Sequence, residues 1–185
     1  MVGVLMARDY ARILTRIWAD PDFRTLAVTE QHAYLMVFSD PALTYCGAGP
    51  LTVKRWANQS AGGTVRKIQT AIEGLAARRY LIIDGDTDEI MVRSLMRNDQ
   101  VFRLPNVAKS AYASWRAVQS PVIRAECLFE VHRVHDGPAS EWHPRTFSDE
   151  GVAEWLKEPL PEGLPGGFLK RFPEPLPRGF EEGIR

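Results

Sequence analysis

Arg66, Lys67 and Thr70 are the side chains in this chain best suited to chemistry with a partner, and that chemistry is recognition of nucleic-acid edges. An arginine or lysine held on a helix can bond the acceptors of a guanine edge in the major groove, and a threonine hydroxyl can serve any base. All three lie in VRKIQTAIEGLAA, where Val65, Ile68, Ile72 and Leu75 recur at helical spacing as one apolar stripe. At about 100° per residue, Arg66, Lys67, Thr70 and Gly74 fall on the opposite side. Thr64 stands before the run as an N-cap and borders the same surface. Gly74 lacks a Cβ and would permit close backbone approach there, against the roughly 1 kcal/mol that a mid-helix glycine costs relative to alanine.

The neighbouring sequence supplies elements that would hold this helix in place. Thr52 can cap a short helix in which Val53, Trp56 and Ala57 turn inward while Lys54, Arg55 and Asn58 stay outside. Those three residues would hold phosphates and set register, because backbone contacts position a reader and base contacts specify. Gly62 and Gly63 supply the tight turn between the two helices. After Arg79, residues 80–84 and 89–95 are β-rich and flank GDTD, a turn suited to a hairpin. Helix, turn, longer cationic helix and hairpin together predict a winged helix-turn-helix. The predicted DNA-binding set is Lys54, Arg55, Asn58, Thr64, Arg66, Lys67 and Thr70. The hairpin tip, with Asp84, Asp86, Asp88 and Glu89, would be repelled by phosphates, so the wing must point away from DNA or serve another surface.

Other constellations carry less. Asp84, Asp86 and Asp88 have the first spacings of a calcium loop, but the sixth position holds Glu89 where glycine is needed and the twelfth holds Leu95 where glutamate is needed. Cys127, His132, His135 and His143 do not match the common zinc spacings. No nucleophile-elbow, HExxH or phosphate-loop signature occurs, so no enzyme activity, metal or cofactor is predicted. Cys46 and Cys127, the only two cysteines, read as small buried residues rather than a disulfide framework.

Lys+Arg and Asp+Glu both number 23 in 185 residues, so bulk attraction to nucleic acid is absent and any DNA affinity must come from a local basic face. No stretch reaches the length of an apolar membrane span, which predicts a soluble, cytoplasmic protein.

The expected fold is mainly α with a small β-hairpin, in three parts: a winged helix-turn-helix over residues 8–104, a helical extension over 105–157, and a Pro/Gly-rich tail over 158–185. Residues 8–27 read as an edge strand or a short helix, and periodicity does not decide between them. A mostly buried helix is expected from Thr29 to the stop at Asp40 and Pro41, followed by a loop over 41–50. In the extension, Val107, Ala111, Trp115 and Val118 share one helical face, and Val122, Ala125, Leu128, Phe129 and His132 another. This pair would pack on the winged domain or form a homodimer seam through residues 106–135. Ser148 reads as the N-cap of a last short helix. In the tail EPLPEGL at 158–164 recurs as EPLPRGF at 174–180, which would offer a partner two docking sites, wrap the folded body, or act as a plain spacer.

Three segments carry a family likeness: IWADPDFRTL at 17–26, VRSLMR at 92–97 and LPNVAKS at 104–110. With the apolar first helix they resemble the N-terminal domain of phage replication-initiator or replisome-organiser proteins, most closely the versions in phages and prophages of actinobacteria. The resemblance covers roughly residues 10–115. It implies a winged-helix module that recognises a phage origin on double-stranded DNA and helps recruit a host or phage replication protein, here through the C-terminal tail. Carried over by position, it supports Arg66, Lys67 and Thr70. The chain departs from the family in having Arg66 and Lys67 where acidic residues are frequent, and in its short C-terminal region. A phage transcriptional regulator and a protein-interaction module that does not read DNA are the alternative readings.

Overall fold

The computed structural model describes residues 10–137, 142–148 and 150–164. The chain opens with a 3-10 turn at Thr15–Ala19 and α1 at Pro21–Arg24, so residues 8–27 contain no edge strand among the described positions. Asp20 starts α1 by accepting from the backbone N–H groups of Asp22 (2.9 Å) and Phe23 (3.0 Å), with Pro21 at the first helical position. There follow α2 (Val28–Phe38), β1 (Ala48–Pro50), α3 (Val53–Asn58), α4 (Val65–Ala77), β2 (Leu81–Asp84), β3 (Glu89–Val92) and α5 (Leu95–Asn98). A 3-10 turn at Val101–Arg103 leads to α6 (Pro105–Ala117), α7 (Pro121–His135), α8 (Pro144–Ser148) and α9 (Glu150–Lys157).

The architecture is mainly helical around one small antiparallel sheet. The expected two-stranded hairpin has a third strand: β1 pairs with β3, giving the order β1-β3-β2. Residues 41–50 are thus not all loop. Too short and glycine-rich to show alternation, the segment 48–50 becomes a strand only because β3 offers it a free edge.

Register makes both faces of this sheet interior. Ala48, Met91 and Ile82 stand in line across the three strands, and all three belong to one core with α6, α7 and α9. Leu81, Ile90 and Val92 point to the other face and join Ala33, Trp56, Ile68, Ile72 and Leu75 from α2, α3 and α4. Successive strand residues point to opposite faces, so strands covered on both sides read as unbroken apolar runs, as LII and IMV do here. The helical extension is therefore the second cover of the sheet. Its predicted faces, Ala111, Trp115 and Val118 in α6 and Ala125, Leu128, Phe129 and His132 in α7, are buried within the chain's own core, so they are not available as a seam to a second copy. α7 is buried nearly all round, so its covered surface extends well beyond the single face its periodicity predicts. Trp115, Trp155 and Phe102 anchor the C-terminal core, with Trp115 and Trp155 ring centroids 5.7 Å apart.

Several local readings need correction. α2 begins at Val28, one residue before Thr29, and its first turn is closed by Glu30 Oε2 accepting from Ala27 N–H at 2.8 Å. Ser148 ends α8 rather than capping α9, and its hydroxyl donates back to the Arg145 carbonyl. The first tail repeat folds back on the body: Leu160 and Leu164 pack against Ala125 and Phe129, and Tyr112 Oη donates to Glu158 at 3.0 Å. The second repeat lies outside the described residues.

Met91→Ala would open a void between β3 and α7 while leaving the hairpin's other face intact. A loss of about 2–5 kcal/mol is expected, measured by denaturant unfolding against the parent chain.

Candidate nucleic-acid interface

The face of α4 forms as its sequence requires. Thr64 takes extended backbone angles and its side chain accepts from the Lys67 N–H at 3.3 Å, so the cap is made. Ile68, Ala71, Ile72 and Leu75 are buried, while Thr64, Arg66, Lys67 and Thr70 are exposed together. Val65 departs from the expected stripe: it is 43% exposed at the first position of the helix, before the stripe reaches the core. Gly62 has φ +73°, and a Cβ on Gly63 would stand 2.2 Å from the Ala57 carbonyl oxygen, so both turn glycines are required by geometry. Lys67 Nζ donates to the Gly62 carbonyl at 3.0 Å, which draws that ammonium toward the turn.

α3 keeps the expected pattern, with one exception. Trp56 and Ala57 are buried, and Lys54 and Asn58 are exposed. Arg55 is surface-accessible too, but its guanidinium is bound to Asp40, a buried carboxylate that also accepts from Trp56 Nε1 and from the Ala42 N–H. Its charge is therefore compensated, whereas Lys54, Arg66 and Lys67 make no ion pair among the described residues, Lys67 being held by the Gly62 carbonyl. Thr52 occupies the N-cap position of α3 without making the expected bond; its hydroxyl is buried and has no partner.

Gly74 serves α2 rather than an incoming backbone. A Cβ there would stand 2.2 Å from Glu30 Oε1, so the missing side chain makes room for the carboxylate that closes the first turn of α2. Glu30, Thr29 and Ala27 form the far wall of a cleft of about 530 Å³ whose near wall is Thr64, Arg66, Lys67 and Thr70. Sequence reasoning missed Glu30 and Asp40. The signals exist in the sequence: Glu30 stands three residues after the N-cap position Ala27, and Asp40, which locally reads as a helix stop, precedes Pro41.

The acidic hairpin has an internal role. Glu89 accepts from the backbone N–H groups of Gln119 (3.1 Å) and Ser120 (2.6 Å), and Asp84 Oδ2 accepts from Ser120 Oγ at 2.6 Å. Ser120 is the N-cap of α7, so these carboxylates sit at the positive end of a long helix. Asp86 and Asp88 remain exposed at the turn.

Comparison with known protein families, curated proteins and solved structures gave no match. Among the described residues no group of three or more His, Cys, Asp or Glu side chains could hold a metal ion, and no helix is long and apolar enough to cross a membrane. Cys46 and Cys127 are buried free thiols in the C-terminal core.

His132 belongs to α7 and is buried, which pushes its pKa down to about 4. Below about pH 6.5 the unfolded chain takes up a proton that the folded chain refuses. Stability from this residue is thus complete above about pH 6.5 and is lost as pH falls toward 4. Unfolding titrations at pH 7 and pH 4.5 should show a smaller acid loss for His132→Gln than for the parent.

Proposed function

We propose that this chain is a winged-helix protein that reads double-stranded DNA with the exposed face of α4 and acts in the initiation of phage or prophage replication. The observation carrying this reading is the joint exposure of Thr64, Arg66, Lys67 and Thr70 on a helix whose opposite side is fixed in a core. A recognition helix needs both a donor-bearing outer face and a rigid mounting. The order helix, strand, helix, glycine turn, helix and hairpin is consistent with the winged arrangement, and the sheet supports the C-terminal end of α4.

Roles follow from the contacts. Arg66 and Thr70 are the base-reading candidates, Lys67 a base or phosphate contact depending on its release from Gly62, and Lys54 and Asn58 phosphate contacts beside the turn. Arg55 contributes less, being held by Asp40. The hairpin makes no DNA contact in this reading, because its strand-end carboxylates anchor α7 and its tip is acidic. The step from DNA binding to replication rests on the sequence resemblance alone; a replication role predicts retention of a helicase, loader or primase, and a regulatory role predicts polymerase.

One observation favours a protein partner instead. The cleft beside α4 carries Glu30 opposite Arg66 and Lys67, so its charge is mixed. A salt series separates the two, since each phosphate contact releases counterions and binding then falls steeply as salt rises.

Selection from a randomised duplex pool at moderate salt should enrich one sequence with the parent chain. Arg66→Ala with Lys67→Ala should lose that enrichment, each missing bidentate base contact costing about 1–3 kcal/mol. Equal behaviour of parent and variant would reject the reading.

A further inference from the structure

The surface that holds the first proline-rich repeat is built from α6 and α7. Val122, Ala125 and Phe129 are spaced by three and four residues along α7 and so share one face, against which Leu160 and Leu164 pack. Tyr112 of α6 supplies the polar contact, donating from Oη to Glu158 Oε1 at 3.0 Å. Its ring is fixed by Trp115 and Trp155, at centroid separations of 5.9 and 5.6 Å. Burial and the neighbouring Glu158 carboxylate push the Tyr112 pKa up, so the hydroxyl keeps the proton it donates. Between its two leucines the segment turns at residues 162–163, where Gly163 has φ +80°. That is the left-handed region that glycine enters freely and other residues rarely adopt.

Four features therefore hold the segment: a carboxylate for Tyr112, an apolar side chain two residues on, a glycine at the turn, and an apolar side chain directly after it. The second repeat has all four in the same order and spacing, as Glu174, Leu176, Gly179 and Phe180. Both prolines are kept as well, at 175 and 177, and proline pre-sets an extended backbone between the contacts. The copies differ at two positions. One is Glu162 against Arg178, and Glu162 is exposed. The other is Leu164 against Phe180, which keeps the position apolar and enlarges it.

Reach does not prevent the second copy from taking the place of the first. They begin sixteen residues apart, and a chain of that length extends up to roughly 50 Å. Seating the second copy requires only that its start return to the end of α9 with the first copy looped out. The tether favours the first copy, which follows α9 directly, because the second must close a loop. Side-chain size favours the second, because Phe180 offers more apolar area than Leu164.

We propose that the face formed by Val122, Ala125 and Phe129, with Tyr112, is a docking site for the motif Glu-Pro-Leu-Pro-x-Gly-apolar, and that residues 174–180 of the same chain are its second ligand, exchanging with residues 158–164. Occupancy by either copy excludes the other. The site lies on α6 and α7 and does not depend on α4 reading DNA.

The test uses the full chain carrying Leu160→Ser and Leu164→Ser, which removes the apolar contacts of the first copy. Methyl NMR is expected to show Val122 and Ala125 still covered, with a nuclear Overhauser contact from the Ala125 methyl to the Phe180 ring. Adding Leu176→Ser and Phe180→Ser should shift both methyl signals and lower the unfolding midpoint below that of the first pair. A synthetic peptide of residues 173–181 should then bind this fourfold variant saturably and return the signals, and the same peptide with Gly179→Val should bind several-fold more weakly. The proposal is overturned if the first pair leaves Ala125 without contact to Phe180, if the second pair changes neither signals nor midpoint, or if the peptide does not bind. Should the fourfold variant fail to fold, the Ala125 contact in the first pair decides.

Discussion

The alternation of side chains along β2 and β3 is the constraint on which the rest of the structure depends. Ile82 and Met91 face α6, α7 and α9, while Leu81, Ile90 and Val92 face α2, α3 and α4. Because the period of a strand is two, a slip of one residue would exchange the contents of the two cores. The pairing of Met91 with both Ala48 and Ile82 holds the register across the sheet. The position of α4, and so the surface it presents, follows from this sheet.

Charged contacts then orient the second cover. Glu126 and Glu130 are buried on α7 and meet Arg79 from the turn before β2, Arg93 just after β3 and Arg97 on α5. Burial pushes the Glu126 carboxyl up, opposed by the Arg79 and Arg93 guanidiniums. Buried ion pairs of this kind add little net stability relative to an apolar core, but loss of one partner leaves a charge stranded. They restrict how α7 can lie on the sheet. At its other end, the hairpin carboxylates hold the start of the same helix, so α7 is gripped at its N-terminus and along its length by groups of opposite sign.

Much of this was legible in the sequence where a pattern was local. The stripe through Ile68, Ile72 and Leu75, the cap at Thr64, the turn at Gly62 and Gly63 and the outward set from Lys54 to Thr70 all stand where periodicity and turn chemistry put them. What was not legible depended on partners remote in sequence. β1 exists because β3 offers an edge more than forty residues later. Gly74 is explained by Glu30, and Arg55 by Asp40, neither of which any local window contains. The acidic hairpin stands out in the sequence as unsuited to a phosphate contact, but only the fold shows that Gln119 and Ser120 donate to its carboxylates.

The central claim is that DNA meets α3 and α4 and leaves the hairpin untouched. Backbone amide mapping of the full chain by NMR during titration with a selected duplex tests it most directly. The account predicts shifts concentrated at residues 52–58 and 62–70, weakening as salt rises, with residues 84–89 unmoved. Shifts centred on the hairpin, or none at α4, would contradict it.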